Sequence, residues 1–285
     1  MNRFKLGLLV ALPAVLIFSV GIIVGEEVVL FGLVLWSVFV IGIFLYADRV
    51  VLKVCDAQQI LVHHNPRLIE LTEEVSRRAG VPAPAVFMMP GDAPNVFSVG
   101  STQRSSAIVF TEGLPRVLSQ DEVRSAIAHE LVHIYEHDSF AGSFAVGCAS
   151  LLGMSTNSAL AAAASTGAKG FGGIKAITAP LAALIVRFLV PPRRELRADE
   201  YGARLIGNPL AMANTIRTME KKKHTSPLSV PPAVAHVFMV SPLPPGPIEE
   251  MFSVHPSLVE RVERLDKLHQ LMISSIRYLP RTSGQ

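Results

Sequence analysis

Two long apolar runs near the start of the chain limit its possible folds more than any other feature of the sequence. The first extends from Leu6 to Val24 and the second from Val28 to Ala47. At 1.5 Å of rise per helical residue, each can cross a hydrocarbon layer about 30 Å thick. Only Gly25–Glu27 separates them, so we expect a membrane hairpin. A cleaved signal peptide is the alternative for the first run. No small-residue cleavage site precedes the second run, which argues against that alternative.

The composition agrees with a membrane protein. Of 285 residues, 50% are hydrophobic and 17% are charged, whereas charged residues make up about 25% of an ordinary soluble domain. The mean hydropathy is +0.41. The net charge of +3 is small and forms no basic stripe, so nucleic acid is not expected as a partner. Cys55 and Cys148 are the only cysteines, which suits a reducing compartment and provides no disulfide framework.

Charged residues beside the apolar runs predict the orientation of the hairpin. Arg3 and Lys5 precede the first run, and Arg49 and Lys53 follow the second, whereas the turn carries two glutamates. Basic residues stay preferentially on the cytoplasmic side. We therefore expect the N-terminus and everything after Arg49 to lie on the cytoplasmic side of the cell (inner) membrane. The lipid bilayer is then a partner, and these basic residues would favour anionic headgroups.

A helix and a small sheet are predicted after the hairpin. Asp56–Gly80 has a helical apolar pattern, with a bend or break expected at Pro66. Three short β-type segments bounded by proline, glycine and polar residues follow, namely Ala85–Met89, Val96–Gly100 and Ala107–Phe110. The edge of such a sheet could receive a peptide as an added strand. A plain structural meander is the alternative.

A second helix is predicted over Asp121–Asp138. Ser119 is a suitable N-cap, with Glu122 as its capping-box partner. The apolar residues of this segment recur at steps of three and four, the spacing of one face of an amphipathic helix. They are Val123, Ile127, Leu131 and Ile134.

This helix contains an H-E-x-x-H motif at residues 129–133. His129 and His133 are four residues apart, so both imidazoles lie on one face and can reach a single ion. Zinc suits two imidazoles in a tetrahedral shell with one position left for water. Glu130 would touch that water, which is the place of a general base. A surface helix with two solvated histidines is the alternative. His137 is predicted to be a surface residue because the helix ends there.

The sequence becomes apolar again after Asp138. Ser139–Ala164 is rich in alanine, glycine and serine, small residues that let membrane helices approach closely. A glycine-rich break, Thr166–Gly173, separates it from a fourth apolar run, Ile174–Val190, which is interrupted by Lys175, Pro180 and Arg187. We expect these runs to be the third and fourth transmembrane helices. A buried helical hairpin in a soluble domain is the alternative.

The helix expected after Pro191-Pro192 offers a further ligand. Glu195 and Asp199 lie one turn apart on it. Glu195 could complete a shell of two histidines and one glutamate, and Asp199 could accept the free ring N–H of a ligating histidine. A solvated charged helix is the alternative, because several arginines crowd the same turns. Spacing alone does not decide between the two.

The motifs together resemble those of the HtpX-like membrane metalloproteases, gluzincins related to the CAAX prenyl proteases. H-E-L-V-H is followed far downstream by E-L-R-A-D-E-Y-G-A-R-L. The resemblance covers most of the chain, including the N-terminal hairpin and the apolar insert before Glu195. It also includes Ala93–Ser98, Glu112–His133 and His255–Arg261.

This resemblance implies a role for each site residue. The ligands of one Zn²⁺ per chain would be His129, His133 and Glu195. Glu130 would be the catalytic base, and Asp199 would lie behind a ligand. His255 and Arg261 match an H-P-x-x-x-x-R element that in the prenyl proteases lies near the site and is thought to steady the oxyanion. One departure is His137-Asp138, where relatives have asparagine or a similar residue before the aspartate.

The predicted fold is mainly α with a small β-sheet: a multi-pass membrane protein with a zincin-type cytoplasmic catalytic domain. Four parts are expected: a transmembrane hairpin, the first part of the catalytic domain, an apolar insert, and the second part of that domain. They cover residues 1–48, 49–138, 139–190 and 191–285, respectively. The proline-rich segment 225–247 is interpreted as a loop facing the substrate, and His224 and His236 as ordinary loop residues. Pro256–Ile276 is expected to be a helix.

The expected function is that of a zinc-dependent endopeptidase. It would hydrolyse membrane or misfolded proteins at the cytoplasmic face, in protein quality control. One alternative is a processing protease for a defined lipidated or membrane peptide. Another is a non-catalytic membrane scaffold whose histidines bind no metal. The partners would be protein or peptide substrates and the bilayer, and the sequence does not indicate an oligomeric state.

Overall fold

A computed structural model of the chain describes residues 3–62, 64–149, 173–226 and 228–277. These residues are mostly helical and include one small mixed sheet. The prediction of a mainly α fold with a small β-sheet is confirmed. The four-part division of the chain stays a prediction.

The first two helices form the expected hairpin. α1 is Arg3–Val24 and α2 is Glu26–Val54. Gly25 joins them with a φ of 139°, a conformation that only glycine adopts easily. Trp36 Nε1 on α2 donates to Val10 O on α1 at 2.9 Å, which fixes the two helices side by side.

Among the residues that the structure describes, one helical segment is long and apolar enough to cross a membrane. It is Glu27–Val54, with 6% of its most apolar window buried. Most of its large apolar side chains are exposed, as they would be towards lipid. The apolar stretches Ala14–Val24 and Pro180–Leu189 are shorter. The multi-pass arrangement therefore stays a prediction.

Four strands form the sheet: β1 (Gln58–Gln59), β2 (Ala85–Met89), β3 (Val96–Val99) and β4 (Ala107–Thr111). Their order is β1-β2-β4-β3. β2 and β4 are parallel, and the two outer strands are antiparallel to their neighbours, with Phe97 opposite Val109. The three predicted strands are confirmed, and β3 lies at one edge of the four-stranded sheet.

The helix predicted from Asp56 begins only at Pro66 and is therefore shorter than expected. α3 is Pro66–Ala79, and the residues before it contain β1. Asn65 caps the helix by accepting a hydrogen bond from Leu68 N at 3.2 Å. Proline at the first helical position cannot donate to a preceding turn, so the chain starts a new helix there.

The motif helix forms where it was predicted. α4 (Leu114–Val117) precedes α5 (Gln120–Tyr135). The capping box is complete: Glu122 N donates to Ser119 Oγ at 3.4 Å, and Ser119 N donates to Glu122 Oε2 at 2.8 Å. Residues 138–149 form α6. The rest of the predicted third span and the glycine-rich break up to residue 172 lie outside the described residues.

The second half of the described chain is almost entirely helical. The fourth apolar run forms α7 (Gly173–Leu189), with Pro180 inside it. A 3-10 helix, Pro232–Val237, separates two pairs of α-helices. These four are α8 (Arg193–Ile206), α9 (Pro209–Lys223), α10 (Pro247–Phe252) and α11 (Leu258–Arg277).

The largest core lies between one face of the sheet and the helices α3, α5, α8, α9 and α11. A second cluster joins the end of α2 to α6 and α7, and includes Ile43, Ala47 and Phe144. Phe44 on α2 and Phe140 on α6 also meet, with ring centroids 5.1 Å apart. α6 therefore connects the motif helix directly to the apolar hairpin.

Candidate active site

The candidate site lies where α5 and α8 cross. The crossing is close because Gly202 on α8 has no side chain: a Cβ there would lie 3.0 Å from His129 N. Ala128 on α5 is fully buried at the same contact, and its carbonyl carbon would lie 3.2 Å from that Cβ. Small residues on both helices thus bring Glu195, near the start of α8, up to the imidazoles of His129 and His133.

Three side chains converge at this crossing. His129 Nε2 lies 3.1 Å from His133 Nε2 and 3.3 Å from Glu195 Oε2, and His133 Nε2 lies 3.5 Å from Glu195 Oε1. A tetrahedral ion with bonds of about 2.0–2.2 Å keeps its ligand atoms roughly 3.3–3.5 Å apart. The three side chains are buried, and their spacing is within a few tenths of an ångström, roughly, of what a single metal ion requires.

A carboxylate lies behind each imidazole. His129 Nδ1 is 2.9 Å from Asp199 Oδ1, and His133 Nδ1 is 3.7 Å from Asp138 Oδ2. Arg261 in turn donates from Nε to Asp199 Oδ2 and from Nη2 to Asp199 Oδ1, both at 2.7 Å. A carboxylate at Nδ1 favours the tautomer with its proton there, which leaves the lone pair of Nε2 for a metal.

The charges at the site stabilise one another despite their burial. Burial opposes a positive imidazole, but the carboxylates of Glu195 and Asp138 outweigh it and raise the pKa of His133 to about 9. Burial also opposes a negative Glu195, but His133 and Arg194 hold the pKa of Glu195 well below its ordinary value. Arg261 likewise lowers the pKa of Asp199 against the effect of burial. The carboxylates are therefore ionised and suited to a cation.

Glu130 has the properties expected of a general base. It follows His129 on α5, and 1% of it is exposed. Neither carboxylate oxygen accepts a hydrogen bond from any residue that the structure describes. A buried polar group without a partner is rare and needs an explanation. A metal-bound water beside His129 and His133 would provide one.

Arg194 is a site residue that the sequence analysis missed. It is 5% exposed and donates to Asp138 O at 3.3 Å and to His236 O at 3.0 Å. Its Nε lies 3.0 Å from Glu195 Oε1. In the sequence it is one of several arginines on a charged helix. Only its burial distinguishes it, and the sequence pattern does not contain that information.

The histidines outside the motif are placed differently from one another. His137 is exposed with a φ of 61°, which confirms its prediction as a surface residue. His224 is also exposed. The prediction for His236 is wrong: this residue is fully buried, and its Nε2 lies 3.2 Å from Gly142 O. His255 Nε2 lies 2.6 Å from Phe238 O, so His255 holds a main chain close to the site.

The space beside the candidate ligands is very small. A cavity of about 10 Å³ lies next to His133. Its other lining residues are Ser98, Ser139, Gly142, Arg194 and Val237. A larger apolar pocket of about 360 Å³ lies between α3, α5 and α8, and is lined by Ala79, Tyr135 and Tyr201. None of the candidate ligands lines that larger pocket.

Comparison with known proteins agrees with the geometry. The sequence profile of peptidase family M48 matches residues 62–269. The chain belongs to this family. A protein named "Protease HtpX homolog" from Syntrophobacter fumaroxidans is 32% identical over 282 residues, covering 93% of this chain and 98% of that protein. Proteins of the same name from Pelotomaculum thermopropionicum and Thermococcus kodakarensis are each 33% identical and cover 94% of this chain, with 99% and 96% of those proteins covered.

The family and these relatives define the class of activity, because the similarity to the proteins named as proteases extends over nearly the whole chain. The M48 protein is a metalloendopeptidase, a hydrolase that uses a divalent metal and acts on proteins. The crystal structure of S. mikatae Ste24p is 16% identical in sequence, with a TM-score of 0.49. The alignment covers 93% of the chain described here and 64% of the Ste24p chain.

Proposed function

We propose that His129, His133 and Glu195 hold one Zn²⁺, and that the protein hydrolyses membrane or misfolded proteins at the cytoplasmic face in quality control. The observation that carries this proposal is the convergence of the three donor side chains, whose nitrogen and oxygen atoms lie 3.1–3.5 Å apart. Two imidazoles and a carboxylate at this spacing are the donor set of catalytic zinc sites.

Bound zinc would polarise the scissile carbonyl and lower the pKa of a water. With such a metal bound, Glu130 would accept the proton of the water on one of its carboxylate oxygens and would donate it to the leaving amine. Asp199 keeps the Nδ1 proton of His129 in place, and Arg261 keeps Asp199 ionised. His255 and Arg261 lie near the site, in agreement with a role close to the oxyanion.

The position of the site supports membrane proteins as substrates. α6 begins at residue 138, beside the candidate ligands, and packs along α2 through Phe140. A site at the end of an apolar hairpin is close to lipid, where unfolded segments of membrane proteins emerge. The basic residues flanking the hairpin favour the cytoplasmic face for this site. This reasoning favours broad quality control over processing of one lipidated peptide.

Replacing Glu130 tests the proposed chemistry. Glu130→Gln removes the proton acceptor but leaves the three candidate ligands, so we expect unchanged zinc content and turnover of labelled casein reduced at least 100-fold. The control is Asp121→Asn, at the exposed start of the same helix, whose ion pair with Arg124 spans 3.0 Å. It should keep full activity. Metal content and cleavage are measured on the same detergent-purified samples.

Two results would contradict the proposal. Native-rate cleavage by Glu130→Gln would remove Glu130 as the base. Absence of stoichiometric zinc that a chelator can remove would favour the scaffold alternative. Profiling of cleavage sites separates the remaining functions, because a processing protease cuts one defined sequence and a quality-control protease cuts many.

A further inference from the structure

The outer edge of β3 is already paired with another part of the chain. Phe238–Val240, here called the covering strand, runs antiparallel to β3 with Phe238 opposite Phe97. Met239 N donates to Val96 O at 2.9 Å. The side chain of Asn95 also pairs with the covering strand, donating to Val240 O at 2.8 Å and accepting from Val240 N at 3.4 Å.

Residues of the candidate active site hold the covering strand in place. Arg261, which binds Asp199, also donates from Nη1 to Met239 O at 2.7 Å. His255 Nε2 lies 2.6 Å from Phe238 O. Just before the covering strand, His236 O accepts a hydrogen bond from Arg194. The groups that surround the candidate ligands therefore bind a main chain that runs along the sheet edge.

The site is closed where the chain leads into the covering strand. The exposed fraction of His129, Glu130 and Glu195 is 1% or less. The cavity beside His133, with Val237 in its wall, measures about 10 Å³, which is room for roughly one water molecule. An extended peptide does not fit there. A peptide that pairs with β3 has to take the place of the covering strand.

We propose that the covering strand is an internal occupant of the substrate site, and that a substrate segment enters by exchanging with it on β3. This inference rests on the proposed function and names the substrate class. Phe238 and Met239 point to opposite faces of the sheet, where they pack in two different apolar clusters. A substrate that replaces them needs bulky apolar side chains at adjacent positions of an extended segment.

The energetics favour exchange over simple opening. Phe238 and Met239 are each 1% exposed, so releasing them into water with nothing in their place would be strongly unfavourable. Apolar substrate side chains of similar size would occupy the same spaces and offset that cost. Unfolded segments of membrane proteins have this composition. Polar unfolded segments do not, so they should be poor substrates.

Two features of the covering strand make its release local. Prolines precede and follow the covering strand, and since proline has no backbone N–H it cannot extend the hydrogen bonding with β3. These prolines are Pro231, Pro232, Pro242, Pro244 and Pro245. Behind the covering strand lies a cavity of about 190 Å³ lined by Val240 and Ser241. Ser241 Oγ and His255 Nδ1 have no hydrogen-bond partner among the described residues. This side of the strand is therefore incompletely packed.

A disulfide that locks the covering strand tests the proposal. Val96 and Met239 are the residues next to the Phe97–Phe238 bridge and are joined by the hydrogen bond from Met239 N to Val96 O. Residues that face each other in this way across an antiparallel pair have a spacing that a disulfide can bridge. The variant is Val96→Cys with Met239→Cys, in a background carrying Cys55→Ala and Cys148→Ala. The matched control is Gln59→Cys with Phe87→Cys, which lie opposite each other on the antiparallel strands β1 and β2, away from β3. Each is compared in its oxidised and reduced forms.

Oxidation of the test pair should lower chelator-sensitive cleavage of labelled casein at least 20-fold, with unchanged zinc content and full recovery on reduction. Oxidation of the control pair should change it less than twofold. Binding of labelled casein to the same pairs in a Glu130→Gln background should follow the same pattern. Equal binding by the oxidised and reduced test pair would overturn the inference. Redox-dependent binding without any chelator-sensitive cleavage by the native chain would overturn the proposed function alone.

A synthetic peptide tests the substrate class separately. A peptide with the sequence of residues 233–241 should inhibit cleavage competitively. The same peptide carrying Phe238→Asp and Met239→Asp should inhibit at least tenfold less. Equal inhibition by the two peptides would show that the apolar side chains do not decide entry.

Discussion

Asp199 is the residue that joins the candidate metal site to the rest of the core. It accepts two hydrogen bonds from Arg261 and lies 2.9 Å from His129 Nδ1. Both members of the ion pair are about 2% exposed. Such a buried pair contributes little net stability compared with apolar residues, but breaking it leaves an uncompensated charge. We interpret Asp199 as the group that keeps Nε2 of His129 directed at the metal.

Asp199→Asn should therefore affect both stability and metal binding. The variant leaves the buried Arg261 without a counter-charge, so we expect a loss of about 3–5 kcal/mol in the free energy of unfolding. Zinc affinity should fall about 10–100-fold because the tautomer of His129 is no longer held. The control is Glu200→Gln, whose partner Arg264 is 3.5 Å away near the surface; its stability should change by less than about 0.5 kcal/mol. Denaturation in detergent and zinc competition measure the two effects, and unchanged zinc affinity in Asp199→Asn would exclude the orienting role.

His236 should make the protein less stable in mild acid. Burial, together with the nearby charge of Arg194, lowers the pKa of His236 to about 3, while an unfolded histidine titrates near pH 6.5. Below pH 6.5 the unfolded chain gains a proton and the folded chain does not. This contribution to stability is present above pH 6.5 and decreases by about 1.4 kcal/mol per pH unit down to about pH 3.

His236→Gln removes this titration and should flatten the decline in melting temperature between pH 6.5 and pH 4.5. The exposed His224 serves as the control, because His224→Gln should leave the native slope unchanged. The measurement is thermal unfolding in detergent across this pH range. Parallel slopes for the native chain and His236→Gln would contradict the assignment.

At the scale of elements, the crossing of α5 and α8 decides the geometry of the site. Each helix follows from local sequence: the Ser119 capping box starts α5, and Pro191-Pro192 precedes α8. Their closeness depends on Gly202, whose missing side chain leaves the main chain of His129 within contact distance. A helix-breaking residue is thus retained inside a helix for packing.

Gly202→Ala should separate the two helices despite the better helix propensity of alanine. The new Cβ would lie 2.9 Å from Met212 Cε and 3.0 Å from His129 N. The methionine can move, but the main chain cannot. Alanine gains about 1 kcal/mol in propensity, overpacking costs about 1–3 kcal/mol, and we expect a net loss of stability and weaker zinc binding. The control is Gly42→Ala, where nothing lies within 4 Å of the new Cβ. Normal zinc binding by Gly202→Ala would show that the two helices can accommodate the extra methyl group without moving the ligands.

At the scale of the whole molecule, the number of bilayer crossings decides on which side of the membrane each part of the candidate site lies. α1 and α2 form a hairpin, and α6 and α7 share a core with the end of α2. If all four helical regions cross, both parts of the candidate site lie on one side. Two crossings between α5 and α8 return the chain to the same side of the membrane, in agreement with the direct contact between these two helices.

Fusions of alkaline phosphatase, which is active only outside the cytoplasm, test this arrangement in bacterial cells. We expect active fusions after Gly25 and after Gly170, and inactive fusions after Lys53 and after Arg277. The reason is that basic residues flank the hairpin on the side predicted to be cytoplasmic. An inactive fusion after Gly170 would favour the buried hairpin over the third and fourth spans. An inactive fusion after Gly25 would contradict the orientation itself.

The sequence alone determined the chemistry of the motif and most of the helices, but it placed the start of α3 too early and missed β1. Helical spacing places His129 and His133 on one face whatever surrounds them, and apolar length makes α2 a membrane-span candidate. Helical spacing and apolar length, however, do not predict the distance between two elements that are far apart in the chain. Only the tertiary structure decided that Glu195 meets the imidazoles, that Arg194 and His236 are buried, and that the covering strand lies on β3. These features depend on side-chain volumes at helix crossings and sheet edges, which are set by packing between residues distant in sequence.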